Sequence, residues 1–201
     1  GYLGSQANFR RHFVVPIERF GDPDATERLR KMIAPFILRR LKTDPRVIQD
    51  LPDKTESKEY CTLSEEQATL YEAVVKSTME KIEASDGMER RGQVLALLMH
   101  IKQVCNHPAQ YLHETDGAAL NNGRSGKLNR LVEMMDELLQ AGSRALIFTQ
   151  FAEMGHLLAE YLPQVLNHPV FYLHSGTPTR QREIMVRRFQ EDDLAPPIFL
   201  L

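Results

Sequence analysis

ALIFTQFAEM, residues 145–154, and VFYLHSGTPTRQREIMVRRF, residues 170–189, decide how this chain is read. Each is a short apolar run that passes through a polar turn into an amphipathic stretch, the sequence pattern of a parallel α/β sheet. Strands at 144–149, 170–173 and 197–201 alternating with helices at 152–162 and 178–190 predict repeated βαβ units with right-handed crossovers. Such sheets gather their ligands at the carboxyl ends of the strands, so Thr149, Gln150, His174, Ser175, Gly176 and Thr177 are candidate functional positions. Thr177 ahead of Pro178 predicts an N-cap and first-turn pair for the second helix. The final run, PPIFLL at 196–201, reads as a buried strand, and a domain is not expected to finish inside one. The chain is therefore expected to be a segment of something longer. An unpaired strand at 197–201 would invite self-association through its open edge.

Working outward, a helix is predicted from Ser125 that buries Leu128, Leu131, Val132, Met135, Leu138 and Leu139 and stops at Gly142, a natural left-handed cap. Residues 113–126 are small and polar, the composition of a mobile loop. Before them, Val94, Leu97, Leu98, Ile101, Val104 and Cys105 follow helical spacing and predict a core-facing stripe, ended by Asn106-His107-Pro108. Ser64-x-x-Gln67 is a capping box that should start a helix carrying Leu70, Tyr71, Val74, Val75 and Ile82 and ending near residues 85–87. Residues 43–58, with Pro45 and Pro52 among acidic residues, read as an extended connector. Leu29, Met32, Ile33, Phe36 and Ile37 predict two short helices meeting near Pro35.

Composition narrows the classes. With 201 residues, 42% hydrophobic and 26% charged, the chain is long enough for one large core or two small ones. No run approaches the roughly 20 apolar residues of a membrane span, and the first residues show no basic-then-apolar pattern of a signal peptide. Two cysteines make no disulfide framework and suit a reducing compartment. A soluble protein of the cell interior is expected. Residues 1–60 carry 12 basic and 9 acidic side chains, against 5 and 9 in 61–123 and 8 and 9 in 124–201. Ten basic residues between Arg10 and Arg46 allow a polyanion contact, although composition alone favours a solvated charged face.

Candidate chemistries fall away in turn. Gly123-Arg-Ser-Gly126-Lys127 invites a phosphate-loop reading, but Asn121 and Leu128 stand where a Walker loop needs glycine and a magnesium-binding hydroxyl. No strand ends in the acidic pair that would hold magnesium and polarise water. His100, Cys105, His107 and His113 lack the two close pairs of a structural zinc site, and nothing orients a histidine toward Cys105 as a nucleophile. Contact with a nucleic-acid backbone survives, since Thr149, Gln150 and Thr177 can donate to phosphate oxygens. The same residues can equally serve as a helix cap and a satisfied strand end, and the residues alone leave both readings open.

The order of the blocks adds a further signal. FRRHFVVPIERFGD (9–22), RLRKMIAPFILRRLKTDP (28–45), LPDK (51–54), LSEEQATLYE (63–72), KQVCNHP (102–108), SGKL (125–128), ALIFTQF (145–151) and LHSGTPTRQREIMVRRF (173–189) together resemble the Swi/Snf (sucrose-non-fermenting type two) family of helicase-like superfamily-two DNA translocases. The wording of LKTDPRVIQDLPDK resembles the bacterial branch. The resemblance implies an α/β fold with an incomplete RecA-like parallel-sheet lobe preceded by a mainly helical region. It also implies a parent protein that hydrolyses ATP with magnesium between two such lobes and moves along duplex DNA. Residues 1–60 would be first-lobe helical protrusion and inter-lobe connector, 61–123 the helical lead into the second lobe, and 124–201 a partial second lobe. The chain would lack the first lobe's nucleotide motifs and the second lobe's last motifs, so no catalytic residue, bound ATP or metal is expected in it.

By resemblance, Thr149 and Gln150 with Phe151 match the fourth helicase motif on the DNA track, and Thr177 and Arg182 match the block after it. Ser175 departs from the glycine usual in bacterial relatives. Arg39, Arg40 and Lys42 resemble the basic connector closed by Pro52 and Lys54, bracing the lobes or touching DNA. Duplex DNA is the implied partner, with DNA-bound proteins or transcription machinery beside it, in bacterial cytoplasm at the nucleoid. A contrasting reading is a non-catalytic helical docking module built on the helices between residues 64 and 105.

Overall fold

In the computed structural model the described residues are 2–38, 40, 54–120 and 123–201, the side chain of Ala118 excepted. They form two compact units, Gly1–Ser57 and Lys58–Leu201.

In the first unit, α1 (Gln6–Phe9) runs on into a wide-turn π-helix at Arg10–Arg19, and α2 spans Pro23–Ile33 before one tight turn at Ala34–Phe36. The break between helices lies at Gly21, not at Pro35 as the spacing predicts. Gly21 takes a left-handed φ of 62°, and the Asp22 carboxylate accepts the N–H groups of Asp24 and Ala25, with Pro23 opening the helix. Pro35 is absorbed in the closing turn, where its missing N–H costs nothing. Arg40 is exposed, and Lys54 pairs with Glu56. Arg39 and Lys42 lie outside the described residues.

The second unit begins with a helical hairpin, α3 (Glu65–Glu83) and α4 (Gly87–Asn106). The capping box at the head of α3 forms as predicted: Gln67 N–H donates to Ser64 Oγ at 3.1 Å while Ser64 N–H donates to Gln67 Oε1 at 3.0 Å. Val74, Thr78 and Ile82 bury one face of α3. On α4 the predicted stripe is only partly covered. Of its members Leu98 is 53% and Val94 40% exposed, Leu97, Ile101 and Cys105 are half-buried, and only Val104 is fully buried. The spacing is helical, but α3 and the helices at Pro108–Leu112 and Gly126–Gln140 together cover the C-terminal end of this stripe better than its N-terminal end, where Val94 and Leu98 stay exposed.

His107 ends α4 and caps α5 (Pro108–Leu112), its Nδ1 accepting Ala109 N–H at 3.0 Å. In the segment read as a mobile loop, residues 113–120 are instead pinned: Gly117 N–H donates to Glu160 Oε2 at 3.0 Å, and Leu120 is fully buried in the main core. Composition conceals this, because one leucine placed in the core outweighs several polar neighbours on the surface. Next, α6 (Gly126–Gln140) ends as predicted: Ser143 N–H reaches Leu138 O and Gly142 N–H reaches Leu139 O, around Gly142 at φ 69°.

Strands β1 (Ala145–Ile147), β2 (Val170–Tyr172) and β3 (Ile198–Leu200) alternate with α7 (Ala152–Leu166) and α8 (Thr179–Glu191). All pairings are parallel and the order is β1-β3-β2, with Ala145 and Val170 both aligned to Ile198. The last strand therefore lies in the middle of the sheet with partners on both sides. This corrects the expectation that residues 197–201 present an open edge; the outer strands are β1 and β2. A chain end can be central because a parallel crossover is free to insert a late strand between two earlier ones. Leu157, Leu158 and Leu162 of α7 pack with Leu128 and Met135 of α6 against Ile198 and Leu200 to make the main core. Among the described residues no helix is long and apolar enough to cross a membrane.

Candidate nucleic-acid interface

The turn after β1 is held by the ladder itself. Leu201 N–H donates to Ile147 O at 2.8 Å and Thr149 N–H to Leu201 O at 2.9 Å, carrying the parallel pairing past the strand. Thr149 Oγ1 then accepts Phe151 N–H at 3.3 Å and turns the chain into α7. Gln150 stands exposed on the outside of this turn, its Oε1 accepting from Lys102 Nζ at 3.5 Å. Thr149 and Gln150 line one open cleft of about 520 Å³ with Lys102, Asn106, Lys127 and Phe148.

The turn after β2 is tied differently. Thr177 is buried, and its hydroxyl accepts His174 N–H at 3.1 Å while its own N–H donates to His174 O at 3.0 Å. The predicted capping role moves by one residue: α8 starts at Thr179 behind Pro178, and Thr177 closes the preceding turn instead. Arg182 donates through Nε to Thr177 O at 2.8 Å and through Nη2 to His174 O at 3.1 Å and Ser175 O at 3.0 Å. Its guanidinium thus clasps the turn's carbonyls. Ser175 is exposed and costs this turn nothing, since its backbone contributes only a carbonyl. Tyr172 stacks on His174, and His156 meets both rings edge-on, with ring centres 5.0–5.2 Å apart.

What the rejected phosphate-loop stretch does is visible behind the cleft. Arg124 is a bidentate partner of Glu66, with bonds of 2.9 and 2.7 Å, and also donates to Glu114 and Ala119 O at 2.7 Å. Ser64 Oγ donates to Arg124 O at 2.7 Å, and Ser125 Oγ donates to Asn106 O at 2.7 Å. The fully buried Gln67 sends its Nε2 to Val104 O at 2.8 Å and accepts Gly126 N–H at 3.4 Å. A Cβ at Gly126 would overlap the Thr62 carbonyl, so the residue must be glycine. The hydrogen bond from Arg124 holds the Glu66 carboxyl below its ordinary pKa. Burial first, and then the Arg124 charge, push His107 down to about 4.

ATP and magnesium do not fit this stretch. The N–H groups of Gly126 and Leu128 are already donated to Gln67 and Ser125, which leaves no cradle for a triphosphate. Among the described residues no three His, Cys, Asp or Glu side chains converge on a metal position. Sequence reasoning gave Arg124, Lys102 and Lys127 no role and Gln67 only that of a helix cap. The signal for the two lysines was their place in KQVCNHP and SGKL, blocks singled out without a role.

Parallel strands joined by helices, with polar turns at their carboxyl ends, define a RecA-like lobe of the helicase type. Residues 1–110 match the model of the SNF2-related domain and residues 126–198 that of the helicase conserved C-terminal domain. The chain belongs to the SNF2 family. It is 39% identical over 193 residues to YwqA of Bacillus subtilis, by name an ATP-dependent helicase/translocase, covering 96% of this chain and 21% of that protein. It is 32% identical over 190 residues to the human SWI/SNF-related matrix-associated actin-dependent regulator of chromatin subfamily A member 1, covering 90% and 18%. The Sulfolobus solfataricus SWI2/SNF2 ATPase core in complex with dsDNA superposes with a TM-score of 0.68 at 38% identity, over 100% of this chain and 42% of that one. The C-terminal domain of a Sulfolobus solfataricus SWI2/SNF2 ATPase superposes with the same score at 33% identity, over 74% and 63%. The chain thus spans about a fifth of the length of these curated relatives.

Proposed function

We propose that this chain supplies DNA-track and scaffold elements to an ATP-dependent translocase that moves on duplex DNA and remodels protein–DNA complexes, with the triphosphate chemistry outside these residues. The observation that carries this reading is the open turn at Thr149 and Gln150, presented at the carboxyl end of a parallel strand in a chain whose solved relative binds dsDNA. Thr149 spends its hydroxyl on Phe151 and acts by shaping the turn; Gln150 is the side chain free to meet a phosphate oxygen. Phosphate contacts carry no base specificity and weaken with salt. The test is fluorescence anisotropy with a labelled duplex, together with an ATPase assay. The chain should bind duplexes of unrelated sequence alike, lose affinity as salt rises, and show no ATP turnover with or without DNA. Gln150→Ala should weaken binding a few-fold; turnover by this chain, or no duplex binding, contradicts the proposal.

A second reading has its own observation, the exposed apolar face of α4 with Met88 at 87%, Leu95 at 64% and Leu98 at 53% exposure. Patches of this kind mark protein contacts. Sedimentation of the chain over a concentration series distinguishes the two: a helical docking module that pairs through this face shifts mass, and Leu95→Glu with Leu98→Glu abolishes the shift.

A further inference from the structure

The cleft after β1 carries charge that its wall does not cancel. Lys127, in the first turn of α6, donates to Asn106 Oδ1 at 2.9 Å, and Lys102, near the end of α4, donates to Gln150 Oε1 at 3.5 Å. Both acceptors are neutral amides. Among the described residues no Asp or Glu lines this cleft, whereas Arg124, Arg130, Arg144 and Arg188 of the same unit each meet a carboxylate. Lys127 is also held in place from behind. Asn106 Nδ2 donates to the buried Gln110 at 3.1 Å, which turns Oδ1 toward the lysine. Two ammonium groups facing one opening repel each other, and an anion entering it relieves that repulsion.

We infer that Lys102 and Lys127 together seat a backbone phosphate of duplex DNA, with Gln150 at the rim. This inference rests on the DNA-track reading and deepens it by naming the two cations. A diester is the better occupant than a nucleotide triphosphate. Neighbouring backbone N–H groups are committed to Gln67 and Ser125, so the cleft offers point charges and side-chain amides, which suffice for one phosphodiester. Both lysines are exposed, so their truncation should leave the fold intact.

The experiment is duplex binding by the whole chain between 50 and 200 mM salt, for the native sequence, for Lys102→Gln with Lys127→Gln, and for Lys76→Gln, an exposed lysine on α3. Each lost phosphate contact removes about 0.9 from the slope of log K against log salt. Because the two lysines share one phosphate, the double variant should lose about 0.9, so that the native chain falls roughly three- to fourfold further in affinity across this range. Lys76→Gln should keep the native slope. An unchanged slope in the double variant, while the native chain binds, overturns the cleft and spares the DNA reading. An equal loss in Lys76→Gln, or displacement of the duplex from this cleft by ATP, also overturns it. A native chain that binds no duplex overturns both.

Discussion

The cluster around Arg124 and the cleft around Lys127 lie three residues apart in sequence and use their cations in opposite ways. Arg124 is enclosed by two carboxylates and a carbonyl, so its charge is consumed in joining α3, the 113–120 segment and α6. Lys127 meets one amide oxygen and keeps its charge for whatever enters the cleft. A cation answered by carboxylates holds a fold together; one answered by amides remains available to an anion.

The largest effect expected is at Gly126, on the seam between the two regions. Gly126→Ala drives a methyl group into the Thr62 backbone, which cannot rotate away as a side chain can. A loss of about 3 kcal/mol or failure to fold is expected in urea denaturation followed by circular dichroism. A variant as stable as the native chain would show that the start of α6 is looser than its packing.

Arg124→Met and Lys127→Met set the two cations directly against each other. The first leaves Glu66 and Glu114 facing each other without a counter-charge; since both are partly exposed, a loss of about 2 kcal/mol is expected. The second should change stability by less than about 0.5 kcal/mol. Equal losses would erase the distinction between them.

His107 makes the buried cluster sensitive to pH. Its pKa falls from an ordinary 6.5 to about 4 on folding, so below pH 6.5 the unfolded chain takes up the proton first. Stability should decline as pH drops from about 6.5 to about 4, by an amount on the order of 3 kcal/mol. Glu66, held below its usual range, adds to the loss at the acid end of that window. His107→Gln should flatten the upper part of the profile, read as urea midpoints between pH 7 and 5. A profile unchanged by that substitution would remove His107 from the account.

Arg182 gives the smallest and most discriminating effect. Because it clasps three carbonyls of the turn after β2, Arg182→Ala should cost about 1 kcal/mol of stability and weaken duplex binding slightly, with the salt slope unchanged. A slope lowered by about 0.9 would make it a phosphate contact in its own right.

Local grammar made much of this legible. Ser64 with Gln67, Ser125 and Gly142 set helix ends through contacts within a few residues, and the strand, turn and helix alternation from residue 144 onward predicts parallel pairing. Thr149 and Gln150 could be placed at a strand end for the same reason. The failures share one physical cause. Whether the α4 stripe is covered, whether Leu120 holds its segment in the core, and whether a strand at the chain's end is central depend on which distant segments come to rest against them.

The sequence by itself determined the class of fold, the family and the ends of α3 and α6, because these follow from hydrophobic period, capping chemistry and motif order along the chain. Only the tertiary structure decided which cations are neutralised. Arg124 finds Glu66 across 58 positions and Arg182 turns inward on its own turn, while Lys102 and Lys127 meet amides alone among the described residues. Charge availability belongs to what folding places within about 4 Å, which no local pattern of residues encodes.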